Sequence, residues 1–199
     1  MRHAESQTIF LTDSFQTAQE NMDFDQNLLD LCQTSGHRYV RLYTWKNAGV
    51  TYSSKHTFPE ELKQGDHSER LTGGGIVFHQ PGDVLITLVT TLDDPLFPGK
   101  FKDKLYFFPQ MFRQVLKDAG VELEPVKVCK PQMHAYCAHY DSPYELTYKG
   151  KKILGLSVRK WKHHWMVQGV FHMDEEIQAK ISGAKIVNQL QDYLKIKMR

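Results

Sequence analysis

The chain has 199 residues, 41% of them hydrophobic and 24% charged, with a formal net charge of +2. That length suits one domain with a sizeable core, and the composition excludes a disordered or fibrous chain. The small net charge gives no reason to invoke nucleic acid, no run approaches the ~18 apolar residues of a membrane span, and the N-terminus lacks the apolar stretch of a signal peptide. Three cysteines (Cys32, Cys129, Cys137) form no disulfide framework, so a reducing cytoplasm is expected.

Met22, Leu28, Leu29 and Cys32, with Gly36 as a stop, predict a helix from about residue 16 to 34. "RYVRLYTW" (38–45) alternates apolar with polar and predicts a strand, followed by a short one, "GVTYS" (49–53). "GIVFH" (75–79) and "DVLITLVTT" (83–91), with "QPG" between them, read as adjacent antiparallel strands. Leu105, Phe108, Met111, Phe112, Val115, Leu116 and Ala119 fall at helical spacing and Gly120 closes the pattern, so a helix is expected over 103–119. "VELE" and "VKVC" predict short strands, and "YELTYKGKKILGLSV" a hairpin turning at Lys149-Gly150. "WMVQGVFH" reads as a further strand, and two helices follow near 174–181 and 184–195. Strands mostly neighbour strands, which gives an α+β class with a mixed, largely antiparallel sheet flanked by helices. A single domain over 1–199, with no C-terminal accessory domain, is expected.

Chemistry concentrates in "RLTGGGIVFHQPGD" (70–83). Three glycines beside a strand either form a bulge or tight turn, or let a ligand lie against the main chain. Arg70 adds a guanidinium suited to planar oxyanions. The run is neither a Walker loop nor a dinucleotide fingerprint. Lys151 and Lys152 follow a hairpin turn, so one points to each face of the strand. Either both are solvated edge lysines, or the inward one polarises a carbonyl or neutralises a phosphate. "VRKWKHHW" (158–165) reads as an exposed strand-end loop, with single-stranded nucleic acid or an acidic carrier as the sharper alternatives. Cys129, His134, Cys137 and His139 lack paired zinc spacing, so no metal is expected.

Four segments in this order resemble the catalytic domain of lipoate–protein ligases and octanoyltransferases, related in fold to biotin–protein ligases. They are "NMDFDQNLL" (Asn21 to Leu29, an NxxxDxxLL pattern), Arg41-Tyr43-Trp45 (RxYxW), "ERLTGGGIVFH" and "GKKILG" (Gly150 to Gly155). The resemblance spans about residues 15 to 175 and implies the attachment of lipoyl or octanoyl groups to a lysine of a lipoyl-carrier domain, of the glycine-cleavage H-protein or dehydrogenase E2 type. It further implies that Arg70, Thr72, Gly73, Gly74, Gly75, Val77, His79 and Gly155 line an acyl or adenylate pocket. Lys152 would meet the activated carbonyl, with lipoate or octanoate as substrate, and with ATP and Mg only in a ligase.

Six residues separate Cys137 from "YEL", which lies upstream of "GKKILG", and this register resembles that of a cysteine-dependent octanoyltransferase branch. In that branch a thiol takes the acyl group and a lysine amine then displaces it. Ligases usually carry Asn-Asp where this chain has Tyr144-Glu145. Gly75 keeps a ligase-like triple glycine, while Glu69 in place of a second arginine weakens phosphate binding; with Val158 in place of a glutamine and Gln168 in place of a histidine, two alternatives stand beside the thiol route. These are an ATP-dependent ligase and a non-catalytic lipoyl-domain or acyl-binding relative.

Overall fold

A computed structural model describes residues 6–55, 57–127 and 142–198. Its elements are β1 (Thr8–Leu11), α1 (Ala18–Ser35), β2 (Arg38–Thr44), β3 (Gly49–Ser53), β4 (His67–Arg70), β5 (Val77–His79), β6 (Val84–Thr91), α2 (Phe101–Leu105), α3 (Phe107–Lys117), β7 (Glu124–Pro125), β8 (Leu146–Tyr148), β9 (Lys151–Trp161), β10 (His164–Phe171), α4 (Glu175–Gln178) and α5 (Gly183–Lys197). Seven strands form one sheet in the order β1-β2-β6-β10-β9-β8-β7, and three form a second in the order β4-β3-β5. Both are mixed: β1 runs parallel to β2 and β3 to β4, and the other pairings are antiparallel. The class is the expected α+β one.

The period-two alternation of the central strands divides the molecule into layers. Val40 and Leu42 of β2, Ile86 and Leu88 of β6, and Val167 and Phe171 of β10 face α3 and α5, joining Phe108, Met111, Phe112, Ile186, Leu190 and Leu194 in the main core. The intervening residues Tyr39, Tyr43, Leu85, Val89, Met166 and Val170 face α1 through Ala18, Met22, Leu28, Leu29 and Cys32. Burying each large apolar side chain contributes about 1.5–3 kcal/mol against conformational entropy. No helix among the described residues is long and apolar enough to cross a membrane.

Local chemistry sets the element ends. Thr17 caps α1 by accepting from Glu20 N at 3.2 Å, while the Glu20 carboxylate accepts from Thr17 N at 2.9 Å. Gly36 closes the helix at φ +71, its N–H donating to Cys32 O at 3.0 Å. Asp66, just before β4, accepts from Ala18 N with both carboxylate oxygens (3.0 and 2.8 Å) and so ties the small sheet to the positive end of α1. Lys149 (φ +50) and Gly150 (φ +79) make the predicted hairpin turn between β8 and β9.

Three expectations differ from the structure. The strands at 77–79 and 84–91 are not neighbours, because β5 pairs with β3 in the small sheet and β6 with β2 and β10 in the large one. The "QPG" turn switches sheets: Trp45 captures it through Gly82 N to Trp45 O and Trp45 N to Asp83 O, both 2.8 Å. The helix expected over 103–119 breaks at Tyr106. Pro109 would clash with the carbonyl of Leu105 in a continuous helix but fits the first turn of a new one. "VELE" contributes only Glu124 to a strand, since Val121 and Leu123 are buried as anchors under α3; the end of "VKVC" lies outside the described residues.

Candidate active site

The α1 face of the large sheet carries a slot of ≈ 420 Å³, counting its open mouth. Leu85, Val170, Val77 and Met22 give it apolar walls, and Gly155 and Gly169 expose main chain to it. One end is polar and closed by hydrogen bonds. Asn21 and Asp25, one turn apart on α1, hold the fully buried Arg41 of β2. Arg41 donates to Asp25 Oδ1 at 2.8 Å, to Asn21 Oδ1 at 2.6 Å and to Asp13 O at 2.9 Å, and its guanidinium lies 3.7 Å from the centre of the Tyr43 ring. The second Asp25 oxygen accepts from Thr87 at 2.8 Å and from Gln168 Nε2 at 2.6 Å. A buried charge is tolerated only when paired and hydrogen-bonded in this way.

Gln168 links this cluster to the glycine loop. Its carbonyl accepts from Thr72 Oγ1 at 2.6 Å, and Thr72 also contacts Ser157 Oγ of β9 at 2.7 Å. The loop itself folds around Arg70, whose Nη2 donates to Gly73 O at 2.8 Å and Gly75 O at 2.7 Å. Gly74 sits at φ +94, where an L side chain is strained. A Cβ on Gly73 would meet Val158 O at 3.7 Å, an ordinary contact. The run therefore has a conformational requirement at Gly74, and Arg70 organises its carbonyls.

The other end of the slot is chemically different. Lys152 Nζ lies 2.8 Å from Glu145 Oε2, with the side chains 12% and 1% exposed. A Cβ added to Gly155 would stand 4.0 Å from Lys152 Cε and 3.9 Å from Glu145 Oε1, so this pair sits directly against the slot wall. Glu145 also accepts from Ser142 N at 3.0 Å and Leu156 N at 3.4 Å. Burial pushes its carboxyl up to about 7, with Lys152 pulling the other way.

His79 lines the slot, stacked 4.2 Å from the Trp45 ring and hydrogen-bonded through Nε2 to Thr51 Oγ1 at 2.8 Å. Burial holds it down to about 3, helped by the neighbouring His172, so it is a neutral imidazole.

Of the expected site residues, Arg70, Val77, His79 and Gly155 border the slot. Thr72 reaches it through Gln168, Lys152 flanks it at Gly155, and Gly73, Gly74 and Gly75 form the loop held by Arg70. Cys137, with Cys129, His134 and His139, lies outside the described residues. Of the two lysines, Lys151 is exposed and Lys152 half-buried. Of the three departures, Glu69 is exposed, Val158 packs on the opposite core, and Gln168 is the hub of the polar network. "VRKWKHHW" is the tip of the β9–β10 hairpin, with Arg159 on Leu71 O at 3.0 Å. Sequence reasoning did not place Asp25, Arg41 or Glu145 in the site. The signal available for the first two was their place in the NxxxDxxLL and RxYxW patterns, a carboxylate and a guanidinium on otherwise apolar faces.

The mixed sheet flanked by helices has the fold of lipoate and biotin ligase catalytic domains. The fold matches lipoate-protein ligase A bound with ATP (15% identity, TM-score 0.72, covering 98% of this chain and 86% of that one). It also matches the bi-partite lipoate protein ligase of Thermoplasma acidophilum, described with its E2 lipoyl domain (15%, TM-score 0.71, 98% and 84%). The chain belongs to the lipoyl protein ligase A/B catalytic domain family, whose model matches residues 17–197. Octanoyltransferase LipM of Carboxydothermus hydrogenoformans is 28% identical over 148 residues, 68% of this chain and 54% of that protein. The chain spans about half the length of the curated relatives it matches.

Proposed function

We propose that this protein is an acyltransferase that attaches octanoyl or lipoyl groups to a lysine of a lipoyl-carrier domain. The observation that carries the reading is the Lys152–Glu145 pair against Gly155 in the wall of a narrow apolar slot. An acyl chain laid between Leu85, Val170 and Val77 would bring its carbonyl to the ammonium, where developing negative charge is stabilised. Cys137 is the proposed nucleophile, on its sequence register with Glu145 and Lys152. Its thiolate attacks the donor's acyl carbon and expels the donor's leaving group; the carrier amine then attacks the thioester, the C–S bond breaks and an amide forms. Similarity to an octanoyltransferase supports this route over an ATP-dependent one. So does the engagement of Arg70 with the loop's own carbonyls, beside an exposed Glu69. An E2-type lipoyl domain is the favoured carrier, on the partner named with the Thermoplasma ligase, and an H-protein-type carrier is the alternative.

Intact mass after incubation with an octanoylated or lipoylated carrier, or with the free acid plus Mg-ATP, tests the reading. A mass gain on the protein that disappears in Cys137→Ala is expected. Carrier modification that needs ATP and survives Cys137→Ala would establish a ligase instead. Failure of every donor would leave an acyl- or carrier-binding module.

A further inference from the structure

Beyond the Lys152 end of the slot the sheet carries a second polar pair that the acyl-binding account leaves unused. In the antiparallel register of β6 and β10, Leu85 stands opposite Val170 and Val84 opposite Phe171. Asp83 and His172 are therefore the next pair on the slot face, about 7 Å along the strands from Leu85 and Val170. The Asp83 carboxylate, 1% exposed, accepts from Gln80 N at 3.0 Å, Met173 N at 2.9 Å and His172 Nδ1 at 2.9 Å. Burial raises the Asp83 carboxyl, but the His172 contact and the two backbone donors outweigh it and hold the group below its usual range. The His172 side chain is 34% exposed, and its backbone N–H is fixed on Ile153 O at 2.7 Å. In the neutral tautomer that gives Nδ1–H to the carboxylate, Nε2 carries the lone pair, and no described residue hydrogen-bonds to it.

We propose that His172, oriented by Asp83, is the base that deprotonates the incoming carrier lysine; this rests on the acyl-transfer reading above. A lysine side chain, with an ordinary pKa of about 10.4, arrives as an ammonium and has no lone pair with which to attack. Among the described residues, the other titratable groups facing this end are occupied. Glu145 is held by Lys152 and two backbone N–H groups, and His79 is buried between Trp45 and Thr51. His172 is the exposed member of the set. In the step, His172 Nε2 takes one proton from the ammonium, and the freed amine attacks the acyl carbon of the thioester. The C–S bond breaks with its electron pair on sulfur, the thiolate takes the second nitrogen proton, and His172 releases its own to solvent. The products are the amide and the free thiol.

The test measures octanoyl transfer by the full chain to two acceptors, a carrier lysine and hydroxylamine, which is largely unprotonated at neutral pH. His172→Ala is expected to slow transfer to the lysine about 100-fold, with added imidazole restoring part of it, while transfer to hydroxylamine changes little. His172→Gln, which can still bond Asp83 but is no base, should show the same loss and guards against misfolding of the alanine variant. A variant rate equal to wild type overturns the proposal. So does equal loss with both acceptors and no imidazole rescue, the pattern of a purely structural residue. Wild-type protein that transfers to neither acceptor from any donor overturns the acyl-transfer reading, and this inference with it.

Discussion

At one end of the slot, Asp25 and Arg41 are 1% and 0% exposed and every oxygen of Asp25 is hydrogen-bonded. At the other end, Lys152 and His172 are 12% and 34% exposed, and Glu145 is held near 7. Both ends use carboxylates and cations, yet the second is the more open to solvent. The first joins α1, β2, β6, β10 and the glycine loop into one rigid unit through Gln168 and Thr72. In the proposed reaction, the second handles the carbonyl and the amine. Similar side chains thus form a sealed, fully hydrogen-bonded group at one end and a more exposed group at the other, to which the proposed function assigns the chemistry.

The contrast breaks most sharply at Asp25. Asp25→Ala leaves the Arg41 guanidinium buried without its carboxylate, and an unfolding free energy lower by about 3–5 kcal/mol is expected in urea denaturation. Lys152→Met should do the reverse: transfer falls about 100- to 1,000-fold in kcat/KM, with little change in Tm because the abandoned Glu145 can take up a proton. His79 sharpens the comparison from the stability side. Its folded value of about 3 lies below the ordinary ~6.5, so as pH falls through that window the unfolded chain gains a proton that the folded one refuses. At pH 5 that costs about 2 kcal/mol, and His79→Gln should remove this part of the acid sensitivity in urea midpoints taken at pH 7.5 and 5.

Much of this arrangement is legible in the sequence, for reasons that differ by region. Local signals placed α1, β2, the Lys149-Gly150 turn and β10, because capping, alternation and positive-φ turns depend on near neighbours. Pairing between β5 and β3 was not legible, since it depends on Trp45 capturing the Gly82 turn across 37 residues of chain. Gln168 looked like a damaged position and is instead the link between Thr72 and Asp25, a role visible only once three separate segments meet. The Asp83–His172 contact was not legible for the same reason, since it joins two strand ends 89 positions apart.

Gly155 offers the most direct test of the acyl slot itself. A Cβ there would meet Val170, Glu145 and Lys152 at 3.8 to 4.0 Å, ordinary contacts that the fold accommodates, while projecting into the proposed path of the acyl chain. Octanoyl transfer by Gly155→Ala, measured beside its urea stability, should fall at least about tenfold in kcat/KM with stability within about 1 kcal/mol of wild type. Unchanged transfer at unchanged stability would contradict the placement of the acyl chain against Gly155.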